Sequence, residues 1–269
     1  MLLRLFIIII ISEIVLSCST GKYTTTNKVY KKEVKAFAKQ LREYPLTDSF
    51  ATSSKWVGTT NFSLRKPNFV IIHHTAQNSC EQTLETFTLK RTEVSAHYVI
   101  CKDGTVHHML NDYLRAWHAG VGTWGNLTDV NSSSIGIELD NNGFEVFPET
   151  QISSLLNLLN ALKNQYNIPA SNFVGHADIA PTRKVDPNVN FPWQLLADNG
   201  FGLWYDTTGV VLPPTFKSLE SLRVIGYDIR DSSAAIQAFK RHFLQIDSSA
   251  VLSDDDKKIL YALAKKSFY

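Results

Sequence analysis

The sequence predicts an α/β domain, with a central mixed β-sheet flanked by helices, and a small helical module at its C-terminal end. Short runs of apolar and β-branched residues alternate with amphipathic helical patterns, as in a layered α/β domain. A boundary rich in turn residues separates this part from a tail with helical periodicity. With 269 residues, of which 44% are apolar, the chain is long enough for one medium domain and a small one.

The N-terminal segment, residues 1–17, is predicted to be a secretory signal. Its apolar run, Ile7–Ile11, is too short for the roughly 20 residues that a membrane-spanning helix needs, and Glu13 interrupts the apolar region. The sequence Val-Leu-Ser-Cys that ends at Cys18 resembles a bacterial lipobox, in which the cysteine carries lipid. A plain signal peptide without lipid is the alternative.

The elements that follow are assigned in chain order from their periodicity. Residues 18–27 are small and polar and predict a tether, and Lys28–Tyr44 carries a helical pattern. Strands are predicted at 68–75, 96–102, 105–110 and 134–140, with Asp103-Gly104 as the hairpin turn of the middle pair. Helices are predicted at Gln82–Thr92 and at Gln151–Tyr166, the second stopped by Asn167-Ile168-Pro169.

The domain boundary is predicted near Pro213-Pro214, where turn residues cluster and the periodic pattern stops. This gives a main domain at 28–212, which includes the N-terminal helix, and a helical module at 213–269. A module of about 50 residues is marginal as an independent core, so we expect it to dock onto the main domain.

Charge and cysteine content restrict the classes of partner. The formal net charge is +2 and lysines and arginines form no long cluster, which excludes the electrostatic footprint of a nucleic-acid-binding protein. Besides Cys18, the chain contains only Cys80 and Cys101. An exported location would permit these two to pair, but two small buried residues are the alternative, and the sequence leaves the question open.

The chemistry of the chain is concentrated in a loop rich in proline and charge. The segment Gly175–Pro187 contains His176, Lys184 and Asp186 and follows a short apolar run. A histidine and a carboxylate at the end of a strand are two of the three protein ligands of an open catalytic zinc site. The third candidate lies about a hundred residues earlier, where a buried-strand pattern ends in His73-His74. Because side chains alternate along a strand, at most one of these two histidines should reach the metal.

Five motifs occur in a fixed order, and they read Ile-His-His-Thr-Ala, Ser-Ala-His-Tyr, Ala-Trp-His-Ala-Gly, Ser-Ile-Gly-Ile-Glu-Leu and Gly-His-Ala-Asp-Ile-Ala-Pro-Thr-Arg-Lys-Val-Asp-Pro. Over roughly residues 50 to 205 the chain thereby resembles the zinc-dependent N-acetylmuramoyl-L-alanine amidases, a family related to phage lysozymes of amidase type and to animal peptidoglycan recognition proteins. Its closest resemblance is to a lipid-anchored periplasmic member from enteric bacteria. The resemblance implies that His73, His176 and Asp186 bind Zn²⁺, and that His74 is a wall residue.

The resemblance also implies a role for other residues of the motifs. Glu138 ends an apolar strand, where an unpaired carboxylate is costly, and in the family this glutamate is the general base; a structural salt bridge is the alternative. Lys184 would stabilise the oxyanion, against the alternative of a solvated loop lysine. Trp117 and His118 would line the substrate groove, while His97 is expected to be a satisfied core histidine.

The implied function is hydrolysis of the amide bond between N-acetylmuramic acid and L-alanine, in peptidoglycan or muropeptides, by a zinc-activated water. The alternatives are a non-catalytic peptidoglycan receptor on the same fold and a zinc peptidase that cuts within the stem peptide. We expect a monomer, tethered by lipid at Cys18 in the periplasm, with the outer membrane favoured because Ser19 replaces the aspartate associated with inner-membrane retention. The tail resembles a three-helix peptidoglycan-binding module, and a helical cap on the catalytic domain is its alternative.

Overall fold

The computed structural model describes residues 21–42, 59–246 and 249–267. The predicted signal peptide and lipobox lie outside these residues. The chain divides into two units, residues 1–62 and 63–269. Within the described part of the chain, no helix combines the length and the apolar character required to cross a membrane.

In the first unit, helix α1 spans Thr24–Gln40. It begins four residues before the predicted start at Lys28, so the end of the predicted tether is helical. The Thr24 hydroxyl donates a hydrogen bond to the Gly21 carbonyl at 2.7 Å. Threonine and asparagine have modest helix propensity, but they can extend a helix that the following residues already favour, because elongation is far easier than nucleation.

The second unit is built around a five-stranded sheet with the order β3-β2-β4-β1-β5. Its strands are β1 (Phe69–His74), β2 (Tyr98–Ile100), β3 (Val106–His108), β4 (Ser134–Leu139) and β5 (Phe173–Gly175). Only the β2–β3 pair is antiparallel, which confirms the predicted mixed sheet. The predicted hairpin turn lies between these two strands, where Gly104 has a φ of +87° that suits glycine.

Four helices accompany the sheet: α2 (Cys80–Thr88), α3 (Glu149–Tyr166), α4 (His176–Ile179) and α5 (Trp193–Asp198). Helix α2 begins two residues before the predicted start because the Ser79 side chain caps it by accepting from the Gln82 amide at 3.2 Å. It ends at Thr88 because Leu89 is extended, and a 3₁₀ turn at Lys90–Thr92 takes the rest of the predicted helix.

The two faces of the sheet have different neighbours. Val70 and Ile72 of β1 belong to the large core that includes α3. Ile71, between them, points to the other face and packs in a smaller cluster with Val174 and Ile179. Because side chains alternate along a strand, the strand-end His73 lies on the same face as Ile71.

The C-terminal module consists of α6 (Ser218–Ile225), α7 (Ser232–Phe243) and α8 (Asp254–Lys266), which confirms the three-helix prediction. Its core of buried residues includes Tyr227 and Phe239, and Trp124 and Trp204 from before the Pro-Pro boundary pack against it. The module is therefore docked on the main domain as expected from its small size.

Cys80 and Cys101 form a disulfide, which answers the question that the sequence left open. The bond joins the first residue of α2 to the residue that follows β2. It therefore ties a helix of the second unit to its sheet.

Candidate active site

The three predicted ligands meet at one edge of the sheet, at the carboxyl ends of the parallel strands β1 and β5. His73 Nδ1 lies 2.9 Å from His176 Nδ1 and 3.1 Å from Asp186 Oδ2, and the last two atoms are 3.0 Å apart. All three side chains are buried. The backbone holds the two loop residues together, because the Ala177 amide donates to the Asp186 carbonyl at 2.7 Å.

The hydrogen bonds around His73 determine which of its nitrogens is free. The Ser134 hydroxyl donates to the Val130 carbonyl at 2.7 Å, so its oxygen accepts from His118 Nε2 at 3.1 Å. His118 Nδ1 is then an acceptor, and His73 Nε2 donates to it at 3.1 Å. This series of hydrogen bonds leaves the lone pair of His73 Nδ1 directed at the other two ligands.

His176 is oriented in the same way by a backbone group. Its Nε2 donates to the Ala119 carbonyl at 3.1 Å, which leaves Nδ1 with a lone pair. Burial, followed by the charge of His176, lowers the pKa of His73 to about 4.

These three atoms fit a metal ion. Two imidazole lone pairs and a carboxylate oxygen face one another within 3.1 Å in a buried site, an arrangement that a cation between them relieves. Their separations are close to the edge of about 3.3 Å expected for a tetrahedron with ligand distances of about 2.0–2.1 Å. Each pair of ligands thus has the spacing of a metal centre. The other cluster of this kind among the described residues is Cys80, Cys101 and His107, but its two sulfurs are bonded to each other.

His74 lies on the opposite side of β1 and is engaged elsewhere. Its Nδ1 accepts from the Asn188 amide at 3.1 Å. The Nε2 atom lies beside Gly143, 3.3 Å from the position that a β-carbon would take there. As expected from strand alternation, only one of the two adjacent histidines reaches the ligand cluster.

Glu138 is the register partner of His73 on the neighbouring strand β4. It lines the same cleft, and its Oε2 atom is enclosed without a hydrogen-bond partner among the described residues. Burial and then the charge of Asp186 raise the pKa of Glu138 to about 8, against an opposing effect of Lys184. Among the described residues this oxygen has no partner that would support the alternative of a structural salt bridge, and the role of Glu138 as a base stays a prediction.

The face of β4 that carries Glu138 also supports the ligands. Ser134, Gly136 and Glu138 share this face by strand alternation. A β-carbon at Gly136 would lie 2.4 Å from Cγ of His118, so the ring occupies the space that glycine leaves open. One strand therefore supplies a hydroxyl, a recess and a carboxylate in sequence.

Lys184 and Trp117 line the cleft, which has a volume of about 380 Å³. Lys184 is half-buried, and its charge acts on His73 and Glu138. Trp117 is 53% exposed and presents its indole at the rim. The roles of Lys184 in oxyanion stabilisation and of Trp117 in substrate binding stay predictions.

His118 also lines the cleft, but its hydrogen bonds are made within the protein. Its ring is buried and both ring nitrogens are occupied, one by His73 and the other by Ser134. The Asn131 side chain also accepts from the His118 and Ala119 amides, at 3.1 and 2.9 Å. His118 therefore orients a candidate metal ligand from the cleft lining, and its contact with substrate stays a prediction.

Three further supporting residues were missed in the sequence. Ser134 and Asn131 hold His118, and Arg183 Nη2 donates to the Ala119 carbonyl at 2.9 Å, the same oxygen that orients His176. Ser134 could have been found from its even spacing to Glu138 along β4. Asn131 and Arg183 carry no such signal, because Asn131 lies 13 residues from His118 and Arg183 lies 64 residues from Ala119.

His97 is a satisfied core histidine, as predicted. Its Nδ1 accepts from the Gly136 amide at 3.1 Å and its Nε2 donates to the Leu114 carbonyl at 2.9 Å. Burial lowers its pKa, so the neutral ring is the stable form.

Comparison with known proteins agrees with this site. The family model for N-acetylmuramoyl-L-alanine amidase matches residues 63–189. The amidase AmiD of Escherichia coli K12 is 33% identical over 229 residues, which cover 73% of this chain and 82% of AmiD. The structure of E. coli AmiD with anhydro-N-acetylmuramic acid-L-Ala-D-γ-Glu-L-Lys superposes with a TM-score of 0.68 and 29% identity, over 78% of this chain and 93% of that one. AmpDh3 of Pseudomonas aeruginosa, in complex with anhydromuramic pentapeptide, gives a TM-score of 0.68 and 29% identity, over 82% and 98% of the two chains.

Proposed function

This chain belongs to the N-acetylmuramoyl-L-alanine amidase family, and we propose that it hydrolyses the amide bond between N-acetylmuramic acid and L-alanine in peptidoglycan or muropeptides. The observation that supports this most is the cleft that combines the cluster of His73, His176 and Asp186 with Glu138 and Lys184. A solved relative of similar fold holds a substrate that contains this bond.

Zinc is the ion that this cluster suits best. Two imidazole nitrogens and one carboxylate oxygen are typical zinc ligands, and three protein ligands leave a position open for chemistry. When bound, zinc supplies Lewis acidity and a water nucleophile available near neutral pH. His73, His176 and Asp186 would hold the ion.

Glu138 is the proton carrier in this proposal. Its enclosed oxygen has no competing hydrogen bond among the described residues, so it can accept a proton from the attacking water. Burial raises the pKa of this carboxyl to about 8, which strengthens it as a base, and the proton that it takes up would pass to the departing nitrogen of L-alanine. The same oxygen atom thus serves as base in the first half of the reaction and as acid in the second.

Lys184 and Trp117 complete the cleft. From the lining of the cleft, the Lys184 ammonium would stabilise the charge that develops on the carbonyl oxygen, a preorganised effect of about 3 kcal/mol in comparable sites. The exposed indole of Trp117 offers a flat apolar surface for the sugar ring.

Mass spectrometry of digested cell wall tests this proposal. An amidase releases intact stem peptides with a free L-alanine amine and leaves glycan strands with free lactyl groups. Glu138→Gln, which keeps the three proposed ligands, is the matched control and should release neither. Cleavage between two stem residues would identify a peptidase instead, and binding of wall without any new product would identify a receptor.

We also propose that the protein is a periplasmic lipoprotein. The lipobox at Cys18 carries this proposal, and Ser19 favours the outer membrane. A tether of polar residues after the cysteine would let the second unit reach the cell wall.

The C-terminal module is proposed to contact peptidoglycan beside the catalytic cleft. A second cleft of about 410 Å³ lies between the module and the main domain, where Asp228 and Arg230 face Thr123 and Arg183. Arg183 also lines the catalytic cleft, so the two depressions adjoin. Arg230→Glu should weaken cosedimentation with insoluble wall and leave turnover on small soluble muropeptides unchanged; equal cosedimentation would favour the helical-cap alternative.

A further inference from the structure

The C-terminal module contacts the segment that carries His176 through a buried carboxylate. Asp178 lies two residues after His176 in the single turn of α4, and its side chain is 2% exposed. Its Oδ2 atom accepts from the Gly175 amide at 2.7 Å and from His242 Nδ1 at 2.7 Å, and its Oδ1 accepts from the Tyr227 hydroxyl at 2.7 Å. Two of these three donors belong to the module.

The two donors are themselves rigidly held. Tyr227 is buried and its ring contacts Trp124 edge to face at 5.0 Å. His242 stacks on Trp193 with ring centroids 3.8 Å apart. The same Trp193 ring packs closely against Gly175, where an added β-carbon would lie 3.1 Å from Cζ2 of the indole. Trp193 therefore contacts both His242 of the module and the residue before His176.

Loss of a hydrogen-bond donor to Asp178 would cost free energy. A buried carboxylate is stable only when its oxygens accept hydrogen bonds, and removing one donor leaves a desolvated charge partly unpaired. Without Tyr227 and His242, Asp178 would retain the Gly175 amide among the three donors. Rotation of this side chain towards water would unwind the turn that begins at His176, because the Gly175–Asp178 bond caps it.

We propose that Tyr227 and His242 are positioning residues, which hold the candidate metal ligand His176 in place through Asp178. This inference rests on the proposed metal centre. All candidate site residues precede Pro213 in the sequence. This order alone would suggest that the module could be lost without effect on the metal. The buried network argues instead that the module is part of the scaffold of the metal site.

Zinc release from the full-length protein to a chromophoric chelator tests the inference. Tyr227→Phe removes one hydroxyl and keeps the ring, and His242→Phe keeps the stacking on Trp193. Each should release zinc about tenfold faster, the lower end of the range for outer-shell partners of metal ligands. Since both act through Asp178, their effects should not add in the double variant.

The matched control is Tyr166→Phe, which removes a similar hydroxyl bonded to Asp112 Oδ2 at 2.8 Å outside the cleft. It should lower the melting temperature comparably but leave zinc release unchanged. The visible spectrum of the cobalt-substituted protein gives a second readout, which should shift in the Tyr227 and His242 variants and not in the control. If both variants are folded and release zinc at the wild-type rate with unchanged cobalt spectra, the inference is overturned. If the wild type binds no zinc, the proposed metal centre itself fails.

Discussion

His73 and Glu138 are paired in register on the adjacent parallel strands β1 and β4, so the candidate metal ligand and the candidate base project from the same face of the sheet side by side. Their relative position is therefore fixed by main-chain hydrogen bonds instead of by loop conformation. Sites built on strands hold their geometry better than sites built on loops. The sheet thus holds one candidate ligand and the candidate proton acceptor, whereas the ligands His176 and Asp186 follow β5 in a loop.

Metal content distinguishes the two adjacent histidines. His73→Ala should lose zinc, because it removes one of three ligand atoms, whereas His74→Ala should retain it, since His74 is engaged by the Asn188 amide. Elemental analysis of dialysed protein is the measurement. The opposite pattern, with zinc lost only in the His74 variant, would show that the wrong histidine is assigned.

Glu138→Gln should keep zinc and fold and lose about two to four orders of magnitude in turnover, because the amide cannot accept the proton. Lys184→Ala should behave similarly. Turnover on a soluble muropeptide is measured beside zinc content and melting temperature. A Glu138 variant without zinc would make this residue a ligand or a structural support.

Ser134→Ala separates metal support from substrate binding. Loss of the hydroxyl leaves His118 Nε2 without its acceptor and loosens the bond to His73. Zinc affinity, measured by competition with a chelator, should fall about tenfold or more, while KM on zinc-saturated protein stays unchanged. A raised KM with unaltered zinc affinity would restore the substrate-contacting role predicted for His118.

His97 predicts a pH-dependent contribution to stability. Burial lowers its pKa in the folded protein, so the unfolded chain takes up a proton first as the pH falls below about 6.5. The stability contributed by neutral His97 is complete above this pH and is lost as the pH falls towards the folded pKa. The difference in unfolding free energy between wild type and His97→Gln, from denaturant titrations, should therefore shrink from pH 7.5 to pH 5. A constant or growing difference would contradict the assignment.

Cys18→Ser should move the protein from the membrane to the soluble fraction, because the apolar run before it is too short to span a bilayer. Fractionation followed by immunoblotting is the measurement, and wild-type protein labelled with a fatty acid analogue is the control. Membrane association that survives the substitution would indicate an uncleaved anchor in residues 1–17.

The sequence predicted those parts of the site that depend on local periodicity. The two-residue repeat of β1 separated His73 from His74, and the end of an apolar strand identified Glu138 as unusual. The role of His118 could not be predicted in this way, since it depends on contacts to residues 45 and 16 positions away. The motif that contains His118 predicted a residue of the substrate groove. Because Gly136 has no side chain, the His118 ring fits against β4, where it hydrogen-bonds His73.

The Cys80–Cys101 bond has a practical consequence for work on this protein. Helix α2, which the bond secures, contributes Thr83, Thr86 and Phe87 to one wall of the cleft, whereas the three candidate ligands come from β1 and the loop after β5. Protein produced in a reducing cytoplasm would lack the bond and present a loosened wall to substrate, while the three candidate ligands would keep their positions. Integrity of the candidate metal cluster is therefore an insufficient measure of sample quality, and activity comparisons require a thiol titration of each preparation.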